Sequence, residues 1–286
     1  MVAVIAPPKP RLRGRIHQVA FFVSLPAGVV LILLANGPAA IAVASVYAVS
    51  LAAVFGSSAV YHRGQWTERA RRWMKRLDHS MIYVLIAASY TPVAALVLGG
   101  TWEVVLLSVI WAGAVVGVTL KLARPDGFSV VSAALYIVLG WLAIVALPQL
   151  AREMTVAELV LLLAGGLLYT AGAIMFASRR PDPSPSIFGY HEVWHSFMVA
   201  AAACHYAMIL LLLLPRCPVT GIVVVEDGIA VREVSLLVPP SGSSGRGLGA
   251  RPNLPTIHLA APARFIHAGV AGRDAARSTR RKKERT

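Results

Sequence analysis

The chain has 286 residues, of which 57% are hydrophobic and only 14% are charged. A water-soluble domain of this length seldom has such a balance, so the composition excludes an ordinary soluble globule and favours a protein surrounded by lipid. The formal net charge of +14 would also suit nucleic acid, but the lysines and arginines lie mostly between apolar runs and in the C-terminal tail. Such a distribution is typical of a membrane surface, so we expect membrane lipids as partners and no nucleic acid.

Seven apolar runs are long enough to cross a bilayer, whose hydrocarbon core of about 30 Å needs roughly 20 helical residues. They cover residues 17–36, 39–61, 80–98, 104–120, 128–151, 159–177 and 193–215. A secretory signal peptide would not be followed by six further spans, so the first run is interpreted as a retained helix. The sequence therefore predicts an all-α protein, a bundle of seven transmembrane helices at residues 17–215, in the cell membrane.

Positive charges assign the connections to the two sides of the membrane, because short loops rich in lysine and arginine stay cytoplasmic. The basic segment 1–16 and the connections after the second, fourth and sixth runs carry these charges, whereas the alternate connections are almost without them. The predicted topology places the N-terminus in the cytoplasm and the C-terminus outside. Residues 63–77 hold Trp66 and Trp73 among six cations, which favours a short helix on anionic headgroups over an ordinary basic loop.

Prolines and glycines in the apolar runs indicate where helices bend or approach one another. Pro26, Pro92 and Pro148 each remove an amide donor and are expected to kink their helices and to shape a cavity. Small residues allow close helix contacts in membranes. The glycines that favour such contacts are Gly113, Gly117, Gly165, Gly166 and Gly172.

Polar side chains from three helices are predicted to meet at the cytoplasmic face. His62 ends the second run, Asp78 precedes the third, and the sequence HEVWH places His191 and His195 at the start of the seventh. A spacing of four stacks two side chains on one helix face, which applies to the two histidines of the seventh run and also to Ser58 and His62. Ionisable groups at such a depth usually face the interior of a bundle.

Three neutral imidazoles with an open fourth position suit a zinc ion, and Asp78 would then bind or orient the water at that position. The HExxH pattern has a second interpretation, in which Glu192 is the general base of a metalloprotease. The glycine and third histidine of a metzincin do not follow it. An intramembrane protease stays open, although a ligand set completed by His62 and Asp78 is not usual for one.

The other histidines are interpreted without a metal. His205 lies near mid-membrane, where it is expected to hydrogen-bond a neighbouring helix. The remaining ones are treated as boundary residues, namely His17, His79, His258 and His267. The two cysteines, Cys204 and Cys217, lack the CxxC spacing of a thiol metal site.

Three motif blocks resemble those of the hemolysin III family, which belongs with the progestin and adipoQ receptors and is more distantly related to alkaline ceramidases. They are SSAVYHRG at 57–64, LDHSMIYVLIAASYTP at 77–92 and HEVWHSFMVAAAACHY at 191–206. They match in order, spacing and helix position, and the resemblance covers roughly residues 10–215. It implies that His62, His191 and His195 ligate zinc, with Asp78 near the bound water and Ser58 close to it.

The activity implied by this resemblance has alternatives. The receptor and ceramidase relatives imply a zinc-dependent hydrolase of lipid amides with Asp78 and Ser58 as catalytic residues, which zinc chemistry permits. The hemolysin name implies a pore-forming or lytic protein in which zinc is structural. A receptor-like protein is the third alternative.

The tail, residues 216–286, departs from the family pattern, which ordinarily ends soon after the seventh helix. It is rich in Ser, Gly, Pro and Arg and ends in a basic run, a composition that predicts a low-complexity and largely disordered segment. Within it, alternating apolar residues at 221–238 favour a lone hairpin.

Overall fold

The computed structural model describes residues 9–124, 129–215, 224–225 and 228–229. Its elements are α1 (Arg15–Leu34), α2 (Pro38–Arg63), α3 (Glu68–Val93), a π-helical segment (Ala94–Leu98), α4 (Gly100–Ala123), α5 (Ser129–Gly140), α6 (Ala143–Glu153), α7 (Val156–Ser178), α8 (Tyr190–Leu213), β1 (Val224–Val225) and β2 (Gly228–Ile229). The two strands pair antiparallel, within the segment where the sequence favours a hairpin. The rest of the predicted disordered tail lies outside the described residues.

Seven helical spans are long and apolar enough to cross a membrane, with α5 and α6 together forming the span Val131–Glu153. The predicted all-α bundle of seven transmembrane helices is therefore confirmed. Helices adjacent in sequence pack side by side, and α8 packs against both α7 and α1, so the bundle closes on itself. In α3, 67% of the membrane-crossing window is buried, against 11% in α7, which makes α3 the central helix.

The outer faces of the spans expose large apolar side chains, among them Val19, Leu33, Val49 and Leu167. Apolar surface on this scale is unfavourable in water, where most soluble proteins expose only small apolar patches. Lipid is its natural solvent, because the polar backbone groups of each helix are bonded within the helix itself. The chain is a multi-pass integral membrane protein.

The third helix begins earlier than its apolar run. Thr67 caps it by accepting a hydrogen bond from the backbone N–H of Ala70 at 3.3 Å, and with the π-helical segment the span has 31 residues. At about 1.5 Å per residue it is roughly 46 Å long, longer than a hydrocarbon core of about 30 Å. The predicted separate interfacial helix is wrong, because residues 68–77 are the first turns of α3.

The fifth apolar run is not one continuous helix as predicted, because it breaks at Trp141 and Leu142. The hydroxyl of Tyr90 donates to the carbonyl of Gly140 and accepts from the N–H of Ala143, both at 2.9 Å. A helix break within a membrane requires such partners for its freed backbone groups. Two residues after Tyr90, Pro92 precedes the π-helical segment, in agreement with the irregularity predicted at this proline.

Several of the singled-out glycines lie at close helix contacts, as predicted. A Cβ atom at Gly117 would lie 2.4 Å from the ring of Tyr83, and one at Gly165 would lie 2.3 Å from the ring of His205. A Cβ atom at Gly172 would lie 2.8 Å from Trp194. The last two contacts hold α7 close against α8, which carries two of the candidate metal ligands.

Candidate metal centre

Two helix ends bring three histidines together. His62 lies in the last turn of α2, and His191 and His195 lie one above the other in the first turns of α8. One ligand atom from each of the three lies within 4.8 Å of the other two, and the Nε2 atoms of His62 and His191 are 3.2 Å apart. This arrangement could hold a metal ion.

Asp78 approaches the cluster from the central helix. It is buried, and its Oδ2 atom lies 4.0 Å from Nε2 of His62. Ser58, also buried, lies one turn before His62 on α2 and is hydrogen-bonded through its side chain to Asp78. The structure thus places all five predicted site residues together, with Ser58 hydrogen-bonded to the carboxyl group of Asp78.

His17, predicted to be a boundary residue rather than a ligand, lies outside the ligand set but is buried beside it. Its side chain is buried, and its ring stacks on that of His195 with the centroids 3.8 Å apart and an interplanar angle of 2°. Both ring nitrogens of His17 are buried. Helix parity was the available signal, because the start of α1 lies at the same membrane face as the end of α2 and the start of α8.

Glu192, the acid of the HEVWH motif, is bound by two donors. Its Oε1 atom accepts a hydrogen bond from Nε of Arg13, and its Oε2 atom accepts one from the backbone N–H of Gly189 at 2.9 Å. The carboxylate is fully buried. Glu192 therefore fixes the start of α8 to the segment before α1. Because both oxygens of its carboxylate already accept hydrogen bonds, Glu192 is not free to act as the general base of a protease.

The N-terminal segment and the loop before α8 are also joined through the backbone. The N–H groups of Arg11 and Leu12 donate to the carbonyls of Ser186 and Ile187, at 3.0 Å and 3.1 Å. These bonds and the pair between Arg13 and Glu192 hold the segment beside the histidine cluster. Arg13 was not predicted as a site residue, because its partner lies 179 residues away in sequence.

The remaining histidines have different surroundings. His79 lies beside the site, with its Nε2 atom 4.0 Å from Oδ2 of Asp78. His205 lies away from it, with Nε2 located 3.3 Å from the carbonyl of Leu162 in α7, which confirms the predicted contact with a neighbouring helix. His258 and His267 lie outside the described residues.

Gly14 allows α1 to approach the metal centre closely. Its φ of +76° is in the left-handed region, and a Cβ atom there would lie 2.7 Å from the Cβ of His62. We expect Gly14→Ala to lower both thermal stability and metal content, because backbone strain of about 1–2 kcal/mol is added to a clash that displaces His62. Metal analysis and thermal unfolding of the purified variant measure the two effects.

Gly100→Ala is the matched control for this substitution. Gly100 has a φ of +58°, but nothing lies within 4 Å of an added Cβ atom, so the control carries the strain without the clash. It should lose some stability and keep its metal. Equal metal content in the two variants would contradict the close contact at His62.

The fold and the site define a class, a seven-helix membrane protein with a partly buried histidine cluster at one end. Comparison with known proteins agrees, since residues 6–206 match the family described as Haemolysin-III related. The chain belongs to this family.

Among its relatives is Hemolysin-3 of Bacillus cereus, 35% identical over 202 residues, which are 70% of this chain and 89% of the relative. The Hemolysin-3 homolog of Bacillus subtilis (strain 168) is 32% identical over 197 residues, 68% and 89% of the two chains. The human Monocyte to macrophage differentiation factor is 29% identical over 165 residues, 56% and 66% of the two chains.

Proposed function

We propose that this protein is a zinc-dependent hydrolase that cleaves amide bonds of membrane lipids. The observation that carries the proposal is the placement of a buried carboxyl group, Asp78, 4.0 Å from one member of a three-histidine cluster at the end of a lipid-exposed bundle. Metal-dependent hydrolysis requires a cation to polarise a carbonyl group and a base to take a proton from water. Here the three histidines are suited to hold the cation, and Asp78 is suited to act as the base.

The donor set fits zinc. Zinc favours imidazole nitrogens at about 2.0–2.1 Å in tetrahedral sites, so two such ligands lie about 3.3 Å from each other. The Nε2 atoms of His62 and His191 are 3.2 Å apart. His195 also has a buried Nδ1 atom without a hydrogen-bond partner among the described residues. When bound, zinc would lower the pKa of a water molecule to about 7 and polarise a carbonyl group.

The chain's own residues supply the proton transfers. In this proposal a water molecule beside the cluster forms a bond to the amide carbonyl carbon while the carboxylate of Asp78 accepts its proton. Asp78 then gives that proton to the nitrogen of the amine, which leaves as the C–N bond breaks. The side chain of Ser58 holds this carboxylate in place by its hydrogen bond. His17 stacks on His195 and so restricts the orientation of that ring. In this proposal Asp78 acts on the reactants, whereas Ser58 and His17 are positioning residues.

Removal and return of zinc test the proposal. We expect purified protein in detergent to release fatty acid from a ceramide probe, to lose this activity when a chelator removes zinc, and to regain it when zinc is added back. Release measured by mass spectrometry gives the rate before and after each step. Cleavage that continues at the same rate in zinc-free protein would contradict the proposal.

A second candidate function, membrane lysis, is favoured by the name of the Bacillus cereus relative, Hemolysin-3. In this alternative the metal only braces the helix ends. Dye release from liposomes by the His62→Ala variant, without any lipid turnover, would support lysis over hydrolysis. Loss of dye release in that variant together with lipid cleavage in the unaltered protein would support hydrolysis.

A further inference from the structure

The segment before α1, residues 9–14, forms a brace across the two helix ends that carry the candidate metal ligands. On one side of this N-terminal brace, the N–H groups of Arg11 and Leu12 donate to two carbonyls of the α7–α8 loop, at 3.0 Å and 3.1 Å. The brace contains a turn, closed by a hydrogen bond of 3.1 Å from the N–H of Arg13 to the carbonyl of Pro10. It then continues directly into α1.

The second half of the brace contacts each helix end beside a ligand. Arg13 pairs with the buried carboxylate of Glu192, the residue that follows His191 in α8. Gly14 lies so close to α2 that an added Cβ atom would be 2.7 Å from the Cβ of His62. Two consecutive residues of the brace thus connect His62 and His191, whose Nε2 atoms are 3.2 Å apart.

This connection is needed because α2 and α8 touch each other little. The main neighbours of α2 are α1 and α3, and the main neighbour of α8 is α7. Ligands on two such helices keep their geometry only if surrounding residues hold them in place. Arg13 and Gly14 supply part of this support, so we interpret them as the fixed half of the brace.

The first half of the brace is attached to the α7–α8 loop, residues 179–189, which is itself fixed to the start of α8. The backbone N–H of Tyr190 donates to Oδ1 of Asp182 at 2.9 Å. A Cβ atom at Gly189 would lie 2.8 Å from that oxygen and 3.8 Å from Cγ of Pro10. The loop therefore offers residues 9–12 a firm surface beside the metal centre.

The brace is also a wall of a cavity beside the histidine cluster. This cavity of about 460 Å³ is lined by His62 and His191, and Lys9 and Arg13 of the brace contribute to the same lining. His195 is buried and is not among the described residues that line it. An ion that leaves the cluster through this cavity therefore passes beside the brace.

We propose that the brace gates the metal centre. Zinc enters and leaves when residues 9–12 detach from the α7–α8 loop, while Arg13 keeps its pair with Glu192, and the rate of detachment sets the rate of metal exchange. Segments held by a few exposed hydrogen bonds open locally far more often than the whole protein unfolds. The acceptors here, Ser186 and Ile187, are exposed. The inference rests on the zinc site of the proposed function but not on hydrolysis.

Arg11→Pro tests the gate, because proline has no N–H to donate to the carbonyl of Ser186. Arg11 is the second residue of the turn that begins at Pro10, a position at which proline is favoured, so the turn should persist. Arg11→Ala is the matched control, since it removes the same side chain and keeps the N–H. Both variants should bind as much zinc as the unaltered protein.

The measurement is the rate at which zinc-loaded protein in detergent gives its metal to an excess of a chelating dye, followed by absorbance. We expect release from Arg11→Pro to be about five- to tenfold faster than from the unaltered protein, the effect of one hydrogen bond on a local opening. Release from Arg11→Ala should change by less than about twofold, as for most surface substitutions. Equal release rates in the two variants would overturn the inference.

A measurement on the unaltered protein keeps the test decisive if Arg11→Pro fails to fold. Hydrogen–deuterium exchange followed by mass spectrometry, at a pH at which opening limits exchange, gives the opening rate of the amides of Arg11 and Leu12. With dye in excess at the same pH, zinc should be released at this opening rate. A release rate clearly different from the opening rate would overturn the inference.

Neither measurement involves lipid cleavage, so the gate and the hydrolase are tested separately. Gated zinc release from a protein that cleaves no lipid amide would support this inference and overturn the hydrolase. Lipid amide cleavage by a protein whose zinc release is the same in all variants would overturn this inference and leave the hydrolase standing. Protein that binds no zinc would overturn both.

Discussion

Replacing Asp78 with asparagine should lower the rate of lipid amide cleavage by about 10²- to 10⁴-fold, the usual contribution of a general acid or base. The asparagine side chain has the same shape and can keep a hydrogen bond to Ser58, but it cannot accept a proton from water. Because Asp78 is not among the three described residues whose ligand atoms converge, His62, His191 and His195, the substitution should leave zinc bound. Rate and zinc content are measured on the same purified sample.

Glu68→Gln is the control for this charge removal. Glu68 lies on the same helix, and its side chain is 96% exposed, so its loss should change neither rate nor zinc content. An Asp78→Asn variant that cleaves at the unaltered rate would exclude Asp78 as the base. A variant that loses its zinc would show that Asp78 belongs to the metal ligands.

Replacing Arg13 with alanine should destabilise the protein by about 3–5 kcal/mol, because the substitution leaves the fully buried carboxylate of Glu192 without its cationic partner. In thermal unfolding followed by intrinsic fluorescence, this loss corresponds to a fall of roughly 10 °C in Tm. Arg11→Ala removes a neighbouring exposed arginine and should leave Tm nearly unchanged.

A second substitution shows whether the buried charge is the cause. In the double variant Arg13→Ala with Glu192→Gln, the glutamine is neutral and its carbonyl oxygen can still accept from Gly189. It should therefore recover much of the lost stability, since an unpaired buried charge costs more than a neutral amide with a hydrogen bond. A double variant as unstable as Arg13→Ala alone would mean that the contacts of the arginine stem, rather than its charge, stabilise the start of α8.

The helix count was predictable because each span is encoded locally, as an apolar run of sufficient length. The structure departs from the predicted helices in two places, and the two departures have different origins. The early start of α3 had a local signal in Thr67, a favourable N-cap followed by Glu68, but the polar first turns hid it from a search for apolar runs. The break between α5 and α6 had no local signal, because Tyr90 stabilises it from another helix.

The site residues likewise include some that the sequence pattern predicts and some that it does not. His191 and His195 were predictable from a spacing of four on one helix, and His62 and Asp78 from the alternation of helix ends between the two membrane faces. The stacking of His17 on His195 and the pairing of Arg13 with Glu192 depend on how α1 packs against α8. Helix parity places His17 at the membrane face of the site, but no spacing rule pairs residues so far apart in sequence, so the contacts themselves could be found only from the structure.

Metal analysis of the purified protein tests the central claim, that His62, His191 and His195 together hold zinc. Inductively coupled plasma mass spectrometry should find about one zinc ion per chain, as a tetrahedral site with three histidine ligands requires. The His62→Ala, His191→Ala and His195→Ala variants should each lose most of it. His205→Ala, which removes a histidine of α8 away from the cluster, should retain it. Protein without bound metal, or alanine variants that keep their zinc, would contradict the claim.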